Sequence, residues 1–252
     1  YRPGSYENLT PGAWTYKPDP SRPSTATITD PDYSGRFTWQ ATAKDKLSFF
    51  ASTQPRTMNL GFELSTVANE ATTTQTYPPN RVLQATWKRP VTSRLLLDAG
   101  WTRYDITLTN RAQPGTSAVD PAMIAATEQT TGLLFRAPQS FSHNGGGMWT
   151  YRGSASYVTG SHYAKVGLNL IQQNYFADGV ASAPHGAITY RVNRGVPNLL
   201  TIFAPTNIHA HIKADAGLYA QDQWTAKRLT LNLGVRYDYF NGWNEAEIEP
   251  AS

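Results

Sequence analysis

None of the 252 residues is cysteine, which rules out a disulfide framework and a thiolate metal site. The absence fits a chain that crosses an oxidising compartment unfolded, although many chains lack cysteine for no such reason. No run of about 18 apolar residues exists, so a transmembrane helix is excluded. Charged residues make up only 16 %. The net charge of +4 comes from Lys and Arg scattered singly, with no basic block, and this argues against nucleic acid as a partner. No nucleophile with a base, no carboxylate pair and no metal cluster has supporting spacing, so neither an enzyme nor a cofactor site is expected. Tyr1 is no initiator and no signal-peptide h-region follows it, while the chain stops at Ser252 shortly after a strand. A piece from the middle of a longer protein is therefore expected.

What is present is alternation. Leu229, Leu231, Leu233, Val235, Tyr237 and Tyr239 alternate with Thr230, Asn232, Gly234, Arg236 and Asp238, which puts the apolar residues on one face of a strand and polar ones on the other. The strand before it places Ala216, Leu218, Ala220 and Trp224 on one face; Gly217, Tyr219, Gln221 and Gln223 take the other, and Asp222 is the one misfit. Both strands reach the roughly 9 to 11 residues needed to cross a bilayer at a tilt. Earlier stretches repeat the pattern. Phe37, Trp39 and Ala41 alternate with polar residues, then Leu83, Ala85 and Trp87, then Leu95, Leu97, Ala99 and Trp101. Trp149, Tyr151 and Ala155 follow, then Ala164, Val166, Leu168 and Leu170. Window averages hide such strands, so the negative mean hydropathy does not oppose a membrane location.

The hairpin Gly217-Leu-Tyr-Ala-Gln-Asp-Gln-Trp224 with Arg228-Leu-Thr-Leu-Asn-Leu-Gly-Val-Arg-Tyr-Asp-Tyr239 resembles the barrel hairpin of TonB-dependent outer-membrane receptors. The subgroup it resembles carries a carboxypeptidase-regulatory-like domain at its N-terminus. A weaker resemblance runs from about Gly35 to Phe203 and includes Ile188-Thr-Tyr-Arg-Val-Asn-Arg-Gly-Val-Pro197. The resemblance implies import of a scarce extracellular solute in the bacterial outer membrane. It also implies two partners besides the lipid: a plug domain in the same full-length chain, and an inner-membrane energising complex reached through segments outside this sequence. No ligand-binding motif of the family maps onto these residues. A passive pore, or a complete eight-stranded barrel, would share the alternation, and a surface adhesion or structural barrel would share the long loops.

The expected fold is all-β: an antiparallel transmembrane β-barrel segment of about eight long strands, left as an open curved sheet because the chain is a piece. Residues 1–33 read as an irregular loop, 34–240 as the partial barrel and 241–252 as the start of the next loop. The turns near 44, 91, 159 and 226 are short and the connections 55–79, 111–147 and 177–212 long, the asymmetry of outer-membrane barrels. Within 111–147, Asp120-Pro121 is compatible with a short helix over 122–129 or with extended chain, and His143-Asn-Gly-Gly-Gly147 reads as flexible loop. A small hairpin, 186–192 with 198–203, is placed inside the last long connection.

Trp39, Trp87, Trp101, Trp149 and Trp224 fall on outward faces, where they suit an interfacial girdle. His209 and His211 share a face, but no third metal ligand is evident. Arg236 and Asp238 are expected to pair in the lumen. The long connections are expected to carry recognition, with Arg136, Phe141, Tyr190, Arg191 and Arg194 offering stacking or pairing groups, each of which is otherwise an ordinary loop residue.

Overall fold

The computed structural model describes residues 6–60, 66–181, 187–203 and 207–247. In chain order the strands are β1 (Tyr6–Asn8), β2 (Pro18–Pro23), β3 (Ala26–Thr29), β4 (Tyr33–Gln40), β5 (Lys46–Leu60), β6 (Thr73–Pro90), β7 (Leu95–Ala112) and β8 (Ala125–Glu128). They continue with β9 (Leu134–Phe135), β10 (Ser140–Thr159), β11 (His162–Ala181), β12 (Ala187–Asn193), β13 (Val196–Phe203), β14 (Asn207–Ala226) and β15 (Leu229–Asn244). The main antiparallel sheet runs β15-β14-β11-β10-β7-β6-β5-β3, and β4 also pairs with β5. β3 and β4 occupy two halves of the same flank of β5, Thr29 facing Thr57 and Tyr33 facing Thr53. They behave as one strand broken at Asp30-Pro31-Asp32, where Pro31 has no N–H for the ladder. No pairing joins β15 to β3 or β4 among the described residues, so the sheet stays open.

The cross-strand register shows how the strands tilt. One continuous row of facing residues is Trp39, Leu47, Trp87, Ala99, Gly153, Leu168, Leu218 and Tyr237. Trp39 stands one residue before the end of β4, Trp87 three before the end of β6, Gly153 six before the end of β10 and Leu218 eight before the end of β14. With the short turns at one level, that stagger over six interstrand steps, at ~3.3 Å per residue and ~4.8 Å per strand, corresponds to a tilt of about 40°, the value a closing barrel needs.

The same register sorts the faces. Outward along β7 come Leu95, Leu97, Ala99 and Trp101, facing Tyr157, Ala155, Gly153 and Tyr151 on β10. Val235 is 71 % exposed and Leu233 63 %, so this apolar band is left uncovered by the described residues. A bilayer supplies the missing cover. Toward the long-loop end the band gives way to Arg103, which pairs with Asp105 at 2.8 Å and lies 5.4 Å over the Trp149 ring. At the short-turn end Trp87 donates its indole N–H to Asp45 at 2.9 Å, so this ring is apolar toward lipid and hydrogen-bonded toward water.

The buried core lies elsewhere. Apart from Met58, every buried apolar residue described belongs to the connections at the long-loop end, among them Ala68, Ala126, Leu133, Phe135 and Val192. There β13, β12, β8 and β9 form a second sheet, with β12 and β8 parallel. The β12–β13 hairpin turns at Arg194 and Gly195, whose φ angles of 52° and 84° are those of a two-residue primed turn. Its expected first residue, Gly186, lies outside the described residues.

Three expectations need correction. The first 33 residues are not wholly irregular: β1 and β2 pair with each other and β3 joins the main sheet, because a long partner strand offers Ala26–Thr29 a ladder that no local period announces. Of the two readings open for 122–129 the extended one holds: Ala125–Glu128 is a strand pairing with Thr189–Val192, and an isolated eight-residue helix lacks the length to repay its nucleation. His143–Gly147 is strand, not flexible loop. A Cβ at Gly145 would stand 2.6 Å from the Ile106 carbonyl oxygen and 2.8 Å from the Phe176 ring, so glycine answers to close approach there. The long strands likewise run past the expected limits at 55–79, 111–147 and 177–212, reaching 20 residues in β10, β11 and β14, because pairing continues beyond the apolar band.

The face assignment predicts unequal costs at adjacent positions. Replacing Leu231 or Leu233 by Arg should cost about 2 to 4 kcal/mol in the intact protein if it sits near the bilayer midplane, while Asn232→Arg should be mild. Equal costs in a folding titration into lipid vesicles would reverse the assignment.

Candidate functional site

Two regions can meet a solute: the inner face of the sheet and the cap built on its long-loop end. On the inner face, strand parity collects Arg36, Lys88, Asp98, Arg152, Lys165, Asn169, Arg236 and Asp238. Lys88 and Asp98 approach to 3.8 Å, and Arg236 pairs with Asp238 at 2.7 Å as expected from their spacing. Exposed pairs of this kind contribute little to stability. Their side chains instead determine the shape of the wall. Arg152 lies across Gly100, Tyr219 across Gly167 and Arg236 across Gly217, each where a Cβ would collide with it. Glycine on one strand lets the long side chain of its neighbour lie flat, which keeps the wall smooth.

The cap is held by a buried carboxylate. Glu70 is 1 % exposed and accepts the backbone N–H of Asn8 at 3.2 Å and of Arg136 at 3.4 Å, so it ties the N-terminal segment to the β9–β10 connection. Burial pushes its carboxyl above the ordinary range. Arg136, with φ 75°, donates to the carbonyls of Ile124 and Gly12, and its guanidinium lies 3.9 Å over the Trp14 ring. Tyr190 meets Trp14 edge-on at 5.1 Å.

The residues expected to offer ligand contacts therefore separate. Arg136 and Tyr190 are spent inside the cap. Phe141 is half-buried and lines a cleft of about 610 Å³ with Arg111 and His143. Arg191 and Arg194 remain exposed on the β12–β13 hairpin. His209 and His211 do share a face of β14, and the structure brings them partners that spacing could not show. His209 contacts Asp178 of β11 at 2.9 Å and Glu245 at 3.2 Å, and His211 contacts Glu245 at 2.8 Å and stacks on Trp243. Among the described residues no group of three or more His, Asp or Glu is arranged to hold a metal ion. No periodic signal marks Glu70, Asp178 or Glu245, because each acquires its role from a segment distant in sequence.

An open, tilted, antiparallel sheet with an apolar outer band and a polar inner wall is the architecture of one class of membrane protein. Residues 12–249 match the family described as outer membrane beta barrel domain. The chain belongs to that family. Among solved structures, the outer membrane transporter YddB from Escherichia coli shares the fold with a TM-score of 0.58 at 15 % identity; the match covers 94 % of this chain and 30 % of the transporter. The chain thus spans about 30 % of that protein's length. No curated protein sequence matches it. Membership of the outer membrane beta barrel domain family places the chain in the bacterial outer membrane, and it accounts for the exposed apolar band as lipid contact.

The histidine cluster stands beyond the apolar band of the barrel domain, where Phe176 faces His209 and Asn174 faces His211. Hydrogen bonding to Asp178, then to Glu245, raises the His209 pKa above its ordinary value. A raised folded pKa means the tie among β11, β14 and β15 is fully present below about pH 6.5 and is lost as pH rises through the raised value. Amide exchange at Asn207–His211, corrected for its intrinsic pH dependence, should quicken across that interval in the intact protein. The change should vanish in His209→Gln. An unchanged profile in that variant would show that the histidine does not hold the strand ends.

Proposed function

We propose that the chain is part of the barrel of a TonB-dependent receptor, importing a scarce nutrient with energy delivered from an inner-membrane complex. The observation that carries this reading is the open eight-strand wall, tilted as in a closed barrel yet without pairing between its two edges among the described residues. A complete eight-stranded barrel would pair those edges, whereas a wide receptor barrel inserts further strands and encloses a lumen broad enough for a plug domain. The resemblance of Gly217–Trp224 and Arg228–Tyr239 to receptor hairpins supports it, as does the shared fold with a transporter. By the usual asymmetry of outer-membrane barrels, the short turns face the periplasm and the cap faces outside. The flat inner wall then serves as a lumen surface against which a plug can rest.

Conductance separates this reading from a passive pore. The intact full-length protein in planar bilayers should show no steady current, and removal of its plug domain should open one. A steady ohmic current from the intact protein would overturn the receptor reading. Orientation has its own check, made in the intact protein with any cysteine outside these 252 residues replaced. In intact cells an impermeant thiol reagent should label Ser117→Cys and spare Ala226→Cys; the reverse pattern would invert the topology.

A further inference from the structure

The inner wall changes character toward its outer end. Below, it carries the charged residues from Arg36 to Asp238. Above them, β11, β14 and β15 enclose a cavity of about 310 Å³ with no Lys, Arg, Asp or Glu in its lining. Tyr175 and Phe240 bound it from two strands that flank β14, with Ile212 on the floor. Both rings stand open, Tyr175 42 % exposed and Phe240 64 %. The tip of the Phe240 ring comes within 3.0 Å of where a Cβ would stand at Gly242, so the ring lies along the wall over that glycine. The carboxamides of Gln173 and Asn244 also line the space. Gln173 and Tyr175 alternate on the inner face of β11, and Asn244 faces Ala210, the residue opposite Tyr175.

The geometry points to a subsite for a neutral saccharide in the outer part of the lumen, an inference that rests on the receptor reading for its import role. Two exposed rings offer flat apolar faces to the C–H faces of a pyranose. A carboxamide donates and accepts at once, which matches the paired hydroxyls of a sugar ring better than a phosphate or carboxylate. The one basic residue of the lining, His211, is already paired with Glu245 at 2.8 Å, so an anionic or cationic solute would find no unpaired counter-charge in the lining. The inward carboxylate one row below, Asp215, is not part of the lining. A purely aromatic solute would use the rings and leave the carboxamides idle. The volume lies at the small end of ligand pockets and suits one or two sugar units. Gly242 acts as a positioning residue, since a Cβ there would already press on the ring tip at 3.0 Å and a larger side chain would lift Phe240 from the wall.

The test is calorimetric titration of the detergent-purified full-length protein with neutral oligosaccharides, using maltohexaose, cellohexaose and xylohexaose as probes. At least one should bind. Phe240→Ala and Tyr175→Ala should each weaken it about tenfold, the scale of losing one stacked ring. Phe240→Trp should retain binding, and Gly242→Leu should weaken it with both rings still present. Heat-modifiable migration on gels reports whether each variant barrel is folded. No binding by any of the three, or binding unaffected by both alanine variants, overturns the saccharide subsite. The bilayer conductance is read separately. Titration that behaves as expected in a protein with steady current would leave the subsite standing in a pore and remove only the receptor reading.

Discussion

Backbone hydrogen bonding inside a lipid layer is the constraint on which the rest of the structure depends. With no water to satisfy them, N–H and C=O groups in the hydrocarbon region must pair within the protein, and for strands the pairing must come from neighbours. The unbroken ladders between β10 and β11, and between β10 and β7, meet that demand over the whole apolar band. Once pairing is obligatory, parity assigns side chains, so the same ladder that satisfies the backbone puts Leu97 and Val166 toward lipid and Asp98 and Lys165 toward the lumen. The irregularities of the main sheet respect this division. The shifts near Arg56, between Thr76 and Arg81, and near Lys213 fall toward the long-loop end, beyond the apolar band, where water can take over.

A sheet with lipid on one side and a lumen on the other has no core of its own. Hydrophobic burial is accordingly displaced to the cap, where connections otherwise free to wander collect around Phe135, Ala126 and Val192. The cap draws together segments from three parts of the chain through Glu70 and Arg136, and in doing so it removes Arg136 and Tyr190 from the surface. A cap so tied together leaves the inner wall as the more available surface. There the glycines under Arg152, Tyr219, Arg236 and Phe240 share one logic: each leaves room for a large side chain to lie along the wall.

How much of this was legible in the sequence follows from the range over which each feature is encoded. The strand pattern is local. A period of two is written in consecutive residues, so Leu229 to Tyr239 declares its own two faces, and the short turns near 44, 91, 159 and 226 follow from where the pattern stops. The pairing of Arg236 with Asp238 was legible for the same reason, since two residues on one strand face are neighbours whatever else the chain does. The outer-membrane barrel character of the last hairpin also needed only a continuous stretch.

What the tertiary structure alone decided are the features whose partners come from elsewhere. Ala125–Glu128 is a strand because β12 lies beside it, and Ala26–Thr29 because β5 runs on past the membrane band. His209 and His211 gain Asp178 from β11 and Glu245 from the residue that follows β15, and Tyr175 and Phe240 frame one cavity only because β14 sits between them. Alternation of polarity specified which way each side chain points, because that depends on the residue's own backbone. Which distant groups it would meet depends on the register and tilt of the assembled sheet, and those arise only when the strands have paired.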